Sequence, residues 1–231
     1  MILRLYWFMC GIVVGMLIGQ HAYGDTTRVA FLDNGARLES IMSLPMCNSG
    51  HFDFVANKAG IGIAKDLHGS FVMMAAAREI RDTSKVCFLV YRVHGPGNTA
   101  KRIAKAINKA VDEGVSMINI SLEGLNYKNL EEKKALKRAY DNRVHVFIAA
   151  GNNSLDLGKE CRSYPSCYSP RKHKYKHVVG AIDKYNNRAF YTNYGDIVTE
   201  WFKGDFLAHW GTSYASPRAM GYFINKLGDQ K

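Results

Sequence analysis

The sequence predicts an α/β fold in which a mostly parallel, twisted sheet carries helices on both faces, in three layers. Three observations lead there. Short, near-continuous apolar runs read as strands buried on both faces. Stripes of helical period separate them. Polar residues beside glycines punctuate the strand ends, where open α/β sheets build their sites. At 231 residues, 47% hydrophobic and 22% charged, the chain supports one domain with extensions and a core of ordinary size.

The first segment reads as an address. MILRLYWFMCGIVVGMLIGQHAYG has one positive charge, Arg4, then an apolar run from Leu5 to Gly19, and it closes on a small-x-small pair, Ala22 and Gly24. That run is shorter than the ~20 apolar residues of a spanning helix. The pattern predicts residues 1–24 as a signal peptide and 25–231 as one exported domain, with a membrane anchor as the competing reading. Cys10 leaves with the signal. Cys47, Cys87, Cys161 and Cys167 remain, an even number for an oxidising compartment. Four cysteines allow three pairings, and a loop bridge between Cys161 and Cys167 is among them. Buried free thiols are the alternative.

The elements follow in order. RVAFLD, Arg28 to Asp33, is the first apolar strand and ends in Asp-Asn-Gly. In KDLHGSFVMMAAA, His68 sits just before Gly69 at the start of a helix-like run. VCFLVYRV, Val86 to Val93, is the next strand. Ile103, Ile107, Ala110 and Val111 form one stripe in TAKRIAKAINKAVDEG, with Gly114 placed as a C-terminal cap. SMINISL, Ser116 to Leu122, is a strand that ends near Ser121. NLEEKKALKRAYDN opens on Asn129 with Glu132 three residues later, the spacing of a capping box. Its acids come early and its bases late, which suits the helix dipole. VHVFIAA, Val144 to Ala150, is a strand that leads into Asn152. In GTSYASPRAMG, Pro217 fits a first helical turn and sets a helix start near Ser213.

Asp33, His68, Asn152 and Ser213 thus stand at element ends that face one crevice. Their chemistry is complementary. A serine hydroxyl is a poor nucleophile until an imidazole takes its proton. The imidazole needs a carboxylate to fix its tautomer. The tetrahedral intermediate needs donors aimed at its oxyanion. A serine at a helix N-terminus adds free amides and a positive dipole end.

The chain resembles the subtilisin-like serine proteases, the subtilases. The order Asp, His, Ser is theirs. FLDNGARLE resembles the Asp motif, HGSFVMMAA the His-Gly motif, NISLEG the Ser-Leu-Gly-Gly strand, AAGNNS the oxyanion strand, and GTSYASPRAMG the serine motif. The likeness runs from about Val29 to Gly221. It implies a serine endopeptidase with Ser213 as nucleophile, His68 as general base and then acid, Asp33 as its orienting group and Asn152 as oxyanion donor. It also implies that substrate backbone pairs with Ser121, Leu122, Glu123 and Gly124 and with the segment around Gly95 to Gly97. Ser163 then falls near the floor of the primary pocket, with Cys161 and Cys167 closing a loop around it. An inactive subtilase fold that binds peptides or an envelope component is the alternative.

Departures from the family pattern are specific. Asn34 follows the Asp, Ser70 replaces a threonine, and Phe71 replaces a second histidine. Glu123 replaces a glycine of the pocket strand. A carboxylate there attracts Lys or Arg before the cut bond; turned to solvent or paired with Arg162, it leaves an apolar pocket. There is little room between Gly24 and Arg28 for the propeptide that secreted relatives carry. A net charge of +11 suits an anionic envelope surface, and neither zinc-finger spacing nor a basic helix interleaved with aromatics points to specific nucleic acid. His51, His94, His145, His173, His177 and His209 read as surface or core residues. No cofactor and no catalytic metal are predicted, and the domain is expected to be a monomer.

Overall fold

The computed structural model describes residues 26–168 and 173–229. The signal-peptide reading of residues 1–24, with Cys10, lies outside them. The elements run β1 (Thr27–Asp33), α1 (Leu38–Ile41), β2 (Phe52–Asp53), β3 (Lys58–Ala59), α2 (His68–Glu79), β4 (Val86–Arg92), α3 (Thr99–Asp112), β5 (Met117–Ile120), β6 (Gly124–Leu125) and α4 (Leu130–Asp141). They continue as β7 (His145–Ala149), β8 (Ser163–Tyr164), β9 (Lys176–Ile182), β10 (Glu200–Lys203), β11 (Asp205–Phe206), β12 (His209–Trp210) and α5 (Thr212–Gly228).

Eight strands form the main sheet in the order β10-β9-β7-β5-β1-β4-β2-β3. Its pairs are parallel except for the β2–β3 hairpin. β4 lies on one side of β1 and β5 on the other, so the chain reverses direction across the sheet at β1. Such a switch opens a crevice at the carboxyl ends of the strands, beside Asp33.

Strand alternation feeds two cores, one per face. Val29 and Phe31 of β1 join a cluster with Val72 and Met73 of α2 and Met220 of α5. Ala30 and Leu32 join the opposite cluster with Ile103 and Ile107 of α3 and Leu136 of α4. Phe31 meets Phe88 edge-on, with ring centroids 4.8 Å apart. Truncating either to alanine costs about 3–5 kcal/mol.

The helix ends follow the sequence in part. Asn98 caps α3 by accepting from the Lys101 amide at 3.0 Å, and Gly114 takes a φ of 65° just past its end. Asn129 caps α4 by accepting from the Glu132 amide at 2.9 Å. The reciprocal half of the capping box does not form, because the Asn129 amide donates to the Tyr168 hydroxyl instead. Two disulfides join Cys47 to Cys87 and Cys161 to Cys167. Among the described residues, no helix is long and apolar enough to cross a membrane.

Candidate active site

The site begins where β1 ends. Asp33 is buried, and its Oδ1 accepts from the Asn34 amide at 2.7 Å and from His68 Nδ1–H at 2.8 Å. His68 opens α2. Asp66 holds it there, accepting from the His68 amide at 2.9 Å and from Asn34 Nδ2 at 2.5 Å. Gly69 has to lack a side chain, since a Cβ would collide with the Gly35 carbonyl and the Asn34 amide. Asn34 therefore straps the strand end to the helix start.

This setting controls the imidazole. Burial pulls the His68 pKa down, but the charge and hydrogen bond of Asp33, with the charge of Asp66, outweigh it and raise the pKa above the ordinary 6.5. Donation from Nδ1 to the carboxylate leaves Nε2 as the basic nitrogen.

Ser213 lies in the first turn of α5. Its Oγ donates to the Ser121 carbonyl at 3.3 Å, and its own carbonyl accepts from Ser121 Oγ at 2.8 Å. No hydrogen bond joins Ser213 to His68 among the described residues, as is common before substrate tightens a site. Beneath the serine, Ser216 Oγ donates to Asn119 Oδ1 at 2.8 Å, and Asn119 Nδ2 donates to Ser121 Oγ at 2.9 Å. These buried bonds fix the helix mouth against the end of β5. Asp33, His68, Ser213 and Asn152 line one cleft of about 360 Å³.

Asn152 is oriented by its neighbours. Its Oδ1 accepts from the Thr212 amide and hydroxyl, each at 2.9 Å. An amide N–H can donate only to the carbonyl oxygen, so the assignment is fixed and Nδ2 stays available to the cleft. The Thr212 hydroxyl in turn accepts from the Gly151 amide at 3.1 Å. The helix mouth and the end of β7 are one hydrogen-bonded unit.

Glu123 neither turns to solvent nor pairs with Arg162, which lies 3.4 Å from Glu160. It crosses from the segment after β5 to the segment after β7. Oε2 accepts from the Asn152 amide at 3.2 Å and from Asn153 Nδ2 at 2.8 Å; Oε1 accepts from Ser163 Oγ at 2.7 Å and from Asn193 Nδ2 at 3.1 Å. A side chain on Gly151, at φ 103°, would collide with this carboxylate. Neutral donors already occupy both oxygens, so a cation here would meet the charge only by displacing or sharing bonds already made.

The structure gathers most of the predicted residues. Ser121, Leu122 and Glu123 line the cleft, while Gly97 and Gly124 line an adjoining pocket. Ser163 reaches both Glu123 and the Ala150 carbonyl, the latter at 3.2 Å. Gly95 lines neither cavity; it packs on Val55, and its carbonyl accepts from Arg102 at 3.3 Å. Asp66, Thr212 and Asn193 were not singled out from the sequence, and His94, read there as a surface or core residue, lines both cavities. An Asp two residues before a helix-opening His was a usable signal for Asp66. Asn193 offered none, because its partner Glu123 is 70 residues away.

Comparison with known proteins places this geometry in context. The sequence profile described as "Subtilase family" matches residues 59–223, which include His68, Asn152 and Ser213. The chain is 30% identical over 174 residues to the thermophilic serine proteinase of Bacillus sp. (strain AK1), covering 67% of this chain and 41% of that protein. It is 30% identical over 175 residues to alkaline protease 1 of Emericella nidulans, with the same 67% and 41% coverage. The chain thus spans well under half the length of these relatives. Among solved structures, a lanthipeptide protease superposes with a TM-score of 0.72 at 21% identity, covering 84% of this chain and 71% of that one. A cold-adapted subtilisin-like serine proteinase gives 0.69 at 19% identity, with 89% and 77% covered. At these identities the structures speak for the fold.

Proposed function

The chain belongs to the subtilase family, and on that premise we propose that it is an exported serine endopeptidase. The observation that carries this reading is the Asp33–His68 hydrogen bond of 2.8 Å in a cleft that Ser213 and Asn152 also line. Ser213 Oγ attacks the peptide carbonyl while His68 Nε2 takes its proton. Asp33 stabilises the imidazolium that forms. The oxyanion accepts from Asn152 Nδ2 and from the Ser213 amide at the mouth of α5. His68 returns the proton to the leaving amine, and an ester to Ser213 remains. Water, deprotonated by His68, then hydrolyses that ester.

The signal-peptide pattern and the two disulfides support export. The substrate is protein or peptide, and the net charge of +11 favours work near an anionic envelope surface. One observation favours the inactive, peptide-binding alternative: Ser213 Oγ rests on the Ser121 carbonyl.

The pH profile of peptide cleavage separates the two readings. Neutral His68 is the competent base, so kcat/KM should fall as pH drops through its raised pKa, above 6.5. Stability runs the other way. The charged pair with Asp33 contributes fully below the unfolded value and is lost as pH rises through the folded one. Absence of cleavage by folded protein at pH 8–9 contradicts the endopeptidase reading.

A further inference from the structure

A second pocket, of about 320 Å³, adjoins the cleft and shares His94, Leu122 and Glu123 with it. Glu132 forms part of its wall and is 2% exposed. Its amide serves the α4 cap, but among the described residues its carboxyl has no ion pair and no hydrogen bond. The sequence assigned that carboxyl to the Asn129 amide, a place taken by Tyr168. Burial, with no compensating charge, pushes its pKa up to about 8.

The surroundings show what the carboxyl lacks. The pocket lining holds Glu123 and Glu132 but no Lys or Arg, in a chain of net charge +11. Arg102 is committed elsewhere, donating to the carbonyls of Val93, Gly95 and Pro96. Ala100, Ile103 and Leu122 supply apolar walls. Apolar walls around a buried acid complement a long aliphatic stem that ends in a cation.

We propose that this pocket binds a lysine or arginine side chain of the substrate, on the N-terminal side of the cut bond, through the Glu132 carboxylate. The proposal rests on the endopeptidase reading for where the peptide lies. An extended peptide running between the Gly97 loop and the Leu122–Gly124 segment would direct a side chain between them. An unpaired buried acid is costly to the fold, and an entering cation supplies the missing partner.

The test uses peptides in pairs that differ at one position upstream of the cut bond. One member carries Lys and the other norleucine, its uncharged near-isostere; a third carries Glu. Binding to Ser213→Ala protein, read by fluorescence anisotropy, needs no turnover. At one position Lys should bind about tenfold more tightly than norleucine, and Glu weakest. Glu132→Gln and Glu132→Leu should each abolish that preference. Equal binding of Lys and norleucine at every position overturns the proposal, as does a preference that survives both Glu132 changes. Fluorophosphonate labelling of otherwise unchanged protein reports the catalytic centre separately. Labelling without a Lys preference sinks the pocket alone; a Lys preference without labelling sinks the endopeptidase reading alone.

Discussion

Glu123 and Glu132 line the same pocket, nine residues apart, under opposite conditions. Glu123 accepts hydrogen bonds from Asn152, Asn153, Ser163 and Asn193 and ties the two walls of the cleft together. Glu132, more deeply buried, has no such partner among the described residues. A carboxylate saturated by neutral donors is scaffold, because a ligand could engage it only by displacing bonds already made. An unsaturated one is a strain on the fold that a ligand relieves. The cleft mostly follows the first pattern: Asn152 and Ser213 are held by named bonds, and Asp33 Oδ1 accepts two, although its buried Oδ2 has no partner among the described residues.

The largest effect that can break this contrast lies in the cleft. His68→Ala should lower peptide turnover by about 10⁴–10⁶-fold, measured as kcat on a common substrate, with the fold retained. A loss under tenfold would remove the cleft from the chemistry. Asn152→Ala should cost about 10²–10³ in kcat with little change in KM, a magnitude measured on the matching asparagine of subtilisin. Asn153→Ala removes only a donor to Glu123 and should cost less; the reverse ranking moves the oxyanion donor by one residue.

Stability measurements sharpen the comparison of the two carboxylates, which should respond with opposite sign. Glu123→Ala removes an acceptor shared by Asn152, Asn153, Ser163 and Asn193, the last two of which keep the Ala150 carbonyl, and should destabilise by about 1 kcal/mol in thermal or denaturant unfolding. It should also admit larger side chains before the cut bond in a peptide-library profile, since the slot between the walls opens. Glu132→Leu should stabilise at pH 7.5 by on the order of 2 kcal/mol. The sign follows from linkage: a carboxyl whose folded pKa is about 8 against an ordinary 4.5 loses stability as pH rises between them. Destabilisation by Glu132→Leu would mean the carboxyl has a partner after all.

How far the sequence reached depended on the range of the interaction. Strand runs, helix stripes and the element-end placement of Asp33, His68, Asn152 and Ser213 are local patterns, and the fold displays them as read. Side-chain direction is a contest between near and distant partners. Asn129 and Glu132 have capping-box spacing, yet Tyr168, 39 residues on, wins the Asn129 amide and frees Glu132. Glu123 was legible as an intruder in the pocket strand, while Asn193 and Ser163, which hold it, come from elsewhere in the chain. His145, read as ordinary, donates or accepts toward His177 at 2.9 Å, and His177 pairs with Glu200, at a point where three strands begin together. No motif marks that meeting, because the sheet order creates it.

The central claim is that Ser213 is an activated nucleophile. A fluorophosphonate probe applied to folded protein at pH 8, followed by peptide mass spectrometry, tests it most directly. The account predicts a single modified residue, Ser213, with labelling absent in Ser213→Ala and reduced to background in His68→Ala. Labelling at another serine, or equal labelling with and without His68, would contradict it.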